Sequence, residues 1–320
     1  MDAVVLAGGY ATRLWPITRH RAKPLLPVAG EPIVDHILRP LEDEDRIETV
    51  YVSTNERFAD DFREHLEERG YGKTELVVEP TREEDEKLGT VGALAELVER
   101  VSMEDDLLVV AGDNLLSFDI SEFVDYFENR RTPCLTAYDV GSREEASSYG
   151  LVELEGDSVV GFEEKPDEPE STLVSIACYA FPADALGRLD EYLSEDGNPD
   201  APGYFVEWLH ERENVGAFTF DGAWFDVGTR SSYLDANAYM LDGALIEDGA
   251  SVEGTDVRDN VYVMEGATVE DSVLERTVVF DDATLHDCSL RDSVVDSETK
   301  LENIDLSSAL VGAHTKLNGT

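Results

Sequence analysis

Five charged side chains in this sequence stand where phosphate chemistry would need them: Arg13, Lys23, Asp113, Lys165 and Asp226. Val4, Val5 and Leu6 form a short apolar, β-branched run that predicts a buried strand, and the run stops at Gly8-Gly9. Paired glycines let a backbone bring its N–H groups close to a ligand, as Gly-rich loops do around phosphates. Arg13 and Lys23 follow this turn at a spacing that suits a polyphosphate. Residues 1–30 hold four bases (Arg13, Arg19, Arg21, Lys23) and one acid (Asp2), a local charge of +3, while the whole chain has 25 Lys+Arg against 71 Asp+Glu and a formal charge of −46. A cationic island in so acidic a chain points to an anion. Taken alone, a Gly-Gly after a strand would be a plain turn.

The other charged candidates also sit at predicted strand ends. The apolar run Asp106–Val110 leads into Ala111-Gly112-Asp113-Asn114. A carboxylate there can hold Mg2+ against phosphate oxygens, or it can close an Asx-turn. Asp226 precedes Gly228 in Trp224-Phe225-Asp226-Val227-Gly228-Thr229. Lys165, one of only six lysines, precedes Pro166, where it can aim an ammonium at a phosphate. Gly89-Thr90 opens a predicted helix, and the simplest reading is a cap in which Thr90 satisfies the first turn.

LAGGYATRLWPIT followed by AKPLLPVAGEPI resembles the N-terminal signature of the sugar-1-phosphate nucleotidylyltransferases, the pyrophosphorylases that make nucleoside-diphosphate sugars. Matching motifs recur along the chain. The resemblance implies the reaction NTP plus sugar 1-phosphate giving NDP-sugar plus pyrophosphate, with Mg2+ as cofactor. It implies nucleotide contacts from Leu6, Ala7, Gly8, Gly9, Thr12, Arg13, Gly89 and Thr90, the last two in Gly-Thr-x-Gly-Ala. Tyr149-Gly150 and the segment Gly161–Pro166 resemble the sugar-facing motifs, which places Gly150, Glu164 and Lys165 against the sugar phosphate. Ser175 stands where the family usually has Asn, a shorter sugar contact. Asp113 and Asp226 match the metal-binding aspartates. The sugar phosphate is itself a charged nucleophile, so catalysis reduces to alignment and charge neutralisation, with Arg13, Lys23 and Lys165 as the catalytic cations. Thymidine- or uridine-preferring members often carry Gln upstream of the Gly-Thr motif, where this chain has an acidic insert. By overall likeness dTTP or UTP with glucose 1-phosphate is the expected pair.

These residues need a scaffold of strands alternating with helices. Pro32–Leu41 and Phe58–Arg69 have helical patterns, the second ended by Gly70, while Ile47–Ser53 and Leu76–Glu79 read as strands. That alternation predicts an α/β, doubly wound, mostly parallel Rossmann-like sheet with ligands at the carboxyl ends of its strands. From Pro133 the strands shorten (Cys134–Val140, Leu151–Leu154, Val159–Phe162, Leu173–Phe181) and are expected to run antiparallel as a cover over the substrate side. A domain of residues 1–241 is expected to end with the helix Arg230–Leu241.

Residues 243–320 have a different rhythm. Aliphatic beats fall at Val263, Val269, Leu274, Val279, Leu285, Leu290, Val295, Leu301, Leu306, Val311 and Leu317, a 6+5+5 pattern with a 16-residue rung. Small residues two places before nearly every beat predict a three-sided left-handed parallel β-helix of the hexapeptide-repeat class. Such domains often carry acyltransferase activity with a His base. Here His286 and His314 are the only candidates, and no long loop interrupts the coils, so subunit contacts or support of the first domain is the expected role, with a homo-oligomer in view. Two alternatives to a simple transferase stay open: a non-catalytic regulatory homologue, and a bifunctional nucleotidyltransferase/acyltransferase acting on an amino-sugar phosphate.

The composition sets further bounds. At 320 residues and 42% hydrophobic content the chain can bury a proper core. Cys134, Cys178 and Cys288 form no C-x-x-C pair, so neither a disulfide framework nor a zinc site is suggested. No apolar run approaches membrane-spanning length and the N-terminus lacks a signal-peptide layout, which together predict a cytoplasmic protein. An acidic surface should repel nucleic acid and anionic membranes, and it fits a halophile-type protein whose self-repulsion needs screening. The thermal midpoint, followed by circular dichroism, should therefore rise by about 10 °C or more between 0.1 and 2 M KCl, equivalent to a few kcal/mol for a chain of this size. A flat response would contradict the salt requirement.

Overall fold

A computed structural model describes residues 1–83 and 86–319, so Glu84 and Asp85 of the acidic insert lie outside the described residues. By packing, the chain divides into two compact units: Met1–Gly9 with Ile37–Trp224, and Tyr10–His36 with Phe225–Thr320. The ranges 1–241 and 243–320 remain a proposed division by fold type.

The first unit is built on one nine-stranded sheet. Its strands are β1 (Asp2–Leu6), β2 (Val50–Asn55), β3 (Thr74–Glu79), β4 (Leu107–Ala111), β5 (Cys134–Asp139), β6 (Gly150–Glu155), β7 (Ser158–Glu164), β8 (Leu173–Phe181) and β9 (Gly216–Thr219). The order is β3-β2-β1-β4-β8-β5-β9-β7-β6, with β1, β2, β3 and β4 mutually parallel. Crossover helices join those four: α1 (Ile33–Asp43), which brings the chain in from the second unit, α2 (Ala59–Arg69) and α3 (Thr90–Val101). Ala3, Val4 and Val5 of β1 are fully buried, as an apolar run in a central parallel strand should be. α2 stops at Gly70, whose positive φ of 66° lets its N–H bond back to Leu66 O.

The later strands do not form a separate cover. β8 runs antiparallel to β4 and β5 and so extends the same sheet, and β6 pairs with both β7 and β8, closing its far end. The antiparallel direction was legible in the short strands; their membership of the main sheet was not. Helices α4 (Ile120–Arg130), α5 (Gly187–Ser194) and α6 (Pro202–His210) complete this unit. Its principal core sets Val4, Val109 and Leu135 of the sheet against Leu94, Leu97, Leu189 and Phe205 of the helices.

In the second unit, residues from Ala244 onward form a three-sided parallel β-helix. Equivalent residues pair at steps of 16, as in Val269, Leu285, Leu301 and Leu317, or Leu274, Leu290 and Leu306. Each coil turns three corners through left-handed backbone, with Arg276, Asp282 and Asp287 followed 16 residues later by Asp292, Glu298 and Asn303. Small residues before the beats serve a purpose beyond space: Ser272 Oγ accepts from Cys288 N at 3.0 Å, so these side chains bond the next coil. The N-terminal segment of this unit is tied to α7 (Arg230–Met240) by Tyr233 Oη donating to Pro27 O at 2.6 Å and Ala29 N donating to Asn237 Oδ1 at 3.0 Å. All three cysteines are free and buried, and among the described residues no helix is long and apolar enough to cross a membrane.

Gly89 caps α3 with φ of 76°, and a Cβ there would lie 2.3 Å from Pro199 O. Gly89→Ala should therefore cost at least ~1–3 kcal/mol of unfolding free energy in urea titrations. A loss under ~0.5 kcal/mol would contradict the close approach.

Candidate active site

The carboxyl ends of the parallel strands carry one group of candidates. Gly8 and Gly9 follow β1, and their approach is fixed by Ala7 N donating to Ser53 O at 2.7 Å and Asn55 Nδ2 donating to Gly8 O at 2.9 Å. Gly112 N donates to Leu6 O at 2.8 Å, which sets Asp113 beside the start of this loop. Asp113 is oriented by Asn114, whose Nδ2 donates to its Oδ1 at 2.9 Å and whose own Oδ1 accepts from Trp224 Nε1 at 2.5 Å. Leu6 and Thr90 line the same small apolar cavity. Gly89, not Thr90, is the helix cap, and no side chain caps that end, so the capping reading of Thr90 falls. The first-turn N–H of Val91 bonds instead to Pro199 O at 2.9 Å.

Glu79 belongs to this group and was not foreseen. It ends β3, accepts from Ser53 Oγ at 2.8 Å, and a Cβ on Gly8 would lie 2.8 Å from its Oε1. Burial pushes its carboxyl above the ordinary range, opposed by the Ser53 hydrogen bond. Its signal was available in the rule that placed Asp113: it, too, lies at the carboxyl end of a strand parallel to β1.

Three sugar-side candidates share one row across the closed end of the sheet. Ser175 of β8 pairs with Gly150 of β6, which pairs with Glu164 of β7. Glu164 packs against two glycines, since a Cβ on Gly150 or Gly203 would lie 2.8 Å and 1.7 Å from its Oε2. Its side chain is 6% exposed, and burial raises its pKa, with the nearby Lys165 pulling the other way. Lys165 leaves the strand with positive φ, half-exposed, its Nζ 3.6 Å from Glu164 Oε1.

The second unit gathers the cationic loop with Asp226. Lys23, at 9% side-chain exposure, sits with Nζ 3.9 Å from Asp226 Oδ1. Arg13 lies over Gly228: a Cβ there would be 2.7 Å from its Nη2 and 3.6 Å from Asp226 Oδ1. Thr12 opens the short 3-10 turn Thr12–Leu14 and is exposed, as is Arg13. A buried ammonium needs a nearby carboxylate, and the Gly at 228 leaves room for a guanidinium in place of a side chain.

Residues 2–243 match the sequence pattern of the family described as Nucleotidyl transferase. The chain belongs to the nucleotidyl transferase family. This bears out the resemblance drawn from LAGGYATRLWPIT. The transferase is 29% identical over 286 residues to a Sulfolobus acidocaldarius protein named "Putative mannose-1-phosphate guanyltransferase", covering 86% of this chain and 76% of that one. It is 30% identical over 273 residues to "Bifunctional protein GlmU" of Methanocaldococcus jannaschii, covering 83% of this chain but only 61% of that protein. Among solved structures it resembles a "Putative Glucose-1-Phosphate Thymidylyltransferase" of Bacillus anthracis, with a TM-score of 0.66, 26% identity, and coverage of 76% of this chain and 96% of that one.

Because burial raises the pKa of Glu164 in the folded state, the native transferase holds that proton more tightly than the unfolded chain. The resulting stability is present below the unfolded carboxyl pKa and is lost as pH rises through the native one. Urea unfolding in constant salt should thus show wild type losing ground to Glu164→Gln between pH 4.5 and 8. A pH-independent difference would contradict the burial effect.

Proposed function

We propose that this nucleotidyl transferase condenses an NTP with a sugar 1-phosphate to give an NDP-sugar and pyrophosphate. The observation that carries the sugar side is the row Ser175–Gly150–Glu164 beside Lys165: a sunken carboxylate that accepts from hydroxyls, next to a half-exposed ammonium for a phosphate. Lys165 then holds the attacking phosphate, Arg13 neutralises the departing pyrophosphate, and Lys23 faces the α-phosphate. No proton has to be removed from the nucleophile.

The donor set fits Mg2+. Asp113 and Asp226 offer hard oxygens, and Asp113 is held by Asn114. Among the described residues no three metal-binding side chains cluster, and Mg2+ is an ion that takes one or two carboxylates and completes its shell with water and substrate phosphate. When bound it would offset charge on the phosphate oxygens.

dTTP or UTP with glucose 1-phosphate is one substrate pair. Glu79 favours a second reading, in which the base is guanine: a carboxylate accepts from adjacent N1–H and N2–H2, whereas uracil and thymine flank one N–H with two carbonyls. The S. acidocaldarius relative is named for a guanyl transfer. We place the protein in the cytoplasm as a homo-oligomer.

Pyrophosphate release, measured in 2 M KCl for each NTP against glucose, mannose and N-acetylglucosamine 1-phosphates, should show turnover with at least one pair. Arg13→Ala should lower kcat by about 10²–10³-fold. Glu79→Gln should move base preference from GTP toward UTP or dTTP if guanine is the base. No pyrophosphate from any pair would overturn the proposal and favour a binding homologue; consumption of acetyl-CoA with an amino-sugar phosphate would favour the bifunctional alternative.

A further inference from the structure

One column of the β-helix breaks the rule that the other two sides keep. On those two sides the residue after each beat is polar and exposed or half-exposed: Glu253, Glu270, His286 and Glu302 on one, Arg258, Glu275, Arg291 and Ser307 on the other. On the third side the same position is Met264, Phe280, Asp296 and Gly312, at steps of 16, and the first three are buried. The strand residues beside them, Tyr262, Val278 and Val294, are buried as well.

What covers this column includes the cationic loop of the same unit. Arg21 places its guanidinium 4.7 Å from the ring centroid of Phe280, donates from Nη1 to Asp296 Oδ1 at 3.3 Å, and donates from Nη2 to Ser297 Oγ at 3.2 Å. Pro16 lies against Gly312, where a Cβ would come within 2.8 Å of its ring. Three successive coils thus present a ring, a carboxylate and a gap, the first two met by Arg21 and the third by Pro16. The Asp296 carboxylate is further held by Ser297 N at 2.9 Å, and Ser297 Oγ donates to Asp281 Oδ1 at 2.8 Å, so the grip spans two coils. Asp296 side-chain exposure is 6%, and an acid buried at a repeat position whose counterparts are Met, Phe and Gly has no role in stacking the coils.

We propose that the β-helix serves as the positioning element of the phosphate loop, with Arg21 and Asp296 as positioning residues that fix Arg13 and Lys23. The proposal rests on the phosphate-binding role given to those two cations. Arg21 lies two residues before Lys23, so freeing it loosens the segment that must place an ammonium and a guanidinium against a triphosphate. An ångström of misplacement is enough to cost catalysis heavily.

The test uses the full chain in 2 M KCl and compares Asp296→Asn, Arg21→Gln and, as control, Arg258→Gln, whose ion pairs with Asp256 and Glu275 lie on an exposed side. Hydrogen exchange of the Ala11–Leu26 amides should accelerate about tenfold in the first two variants and not in the control, while β1 and β4 stay protected. Inorganic pyrophosphate, titrated calorimetrically, should bind about tenfold more weakly to both, and kcat should fall while KM for the sugar phosphate stays within about twofold. Phe280→Leu, which keeps burial and removes the ring, should fall between. If Asp296→Asn does not fold, Arg21→Gln, altered only at a half-buried side chain, decides. Unchanged exchange in the loop would overturn the proposal. So would a loosened loop that still binds pyrophosphate normally while Arg13→Ala does not; if Arg13→Ala also binds normally, the phosphate-binding reading itself falls.

Discussion

A loop that carries Arg13, Arg19, Arg21 and Lys23 in a chain of charge −46 must be kept off its own acids if it is to meet a ligand's. Left loose, such a segment would settle on whichever carboxylates were nearest, and more than seventy are available. The structure assigns its cations separate partners. Arg21 goes to Asp296 and the face of Phe280, and Lys23 Nζ lies 3.9 Å from Asp226 Oδ1. Arg13, exposed over Gly228, makes no ion pair among the described residues. Fixing Arg21 and Lys23 is what leaves Arg13 in place with its charge uncommitted.

The carboxylates divide by burial in a way that matches their chemistry. Glu79 and Glu164 are sunk beside glycines and have raised pKa values through desolvation, which makes them directional hydrogen-bond partners. Asp113 and Asp226 are half-exposed at strand ends, where their oxygens can meet a cation. Glycine does the sorting: at positions 8, 150, 203 and 228 a side chain would collide with Glu79, Glu164 or Arg13.

Much of this was legible in the sequence because it is local. The Gly8-Gly9 turn, the Asp113 and Asp226 strand ends and the 16-residue rung depend on residues a few places apart, and each appears in the structure. Ser175, Gly150 and Glu164 could be named from motifs, but their alignment in a row depends on β6 pairing with both β7 and β8, a register that no local pattern encodes. Glu79 was read as a strand's last residue, but its place beside Gly8 depends on β2 lying between β1 and β3, which no local pattern encodes. The attachment of Tyr10–His36 to α7 and the β-helix was not legible at all: Arg21 and Asp296 are 275 residues apart, and Tyr233 and Pro27 are 206. The break in the repeat at Phe280, Asp296 and Gly312 was in view, yet only the structure says what it faces.

The central claim is that this loop is a built receptor for a polyphosphate, and competition binding tests it most directly. A fluorescent NTP held by the transferase in 2 M KCl should be displaced by inorganic pyrophosphate at far lower concentration than by sulfate, and the Arg13→Ala/Lys23→Ala double variant should lose that preference. Equal displacement by pyrophosphate and sulfate, or a double variant that still prefers pyrophosphate, would contradict the account.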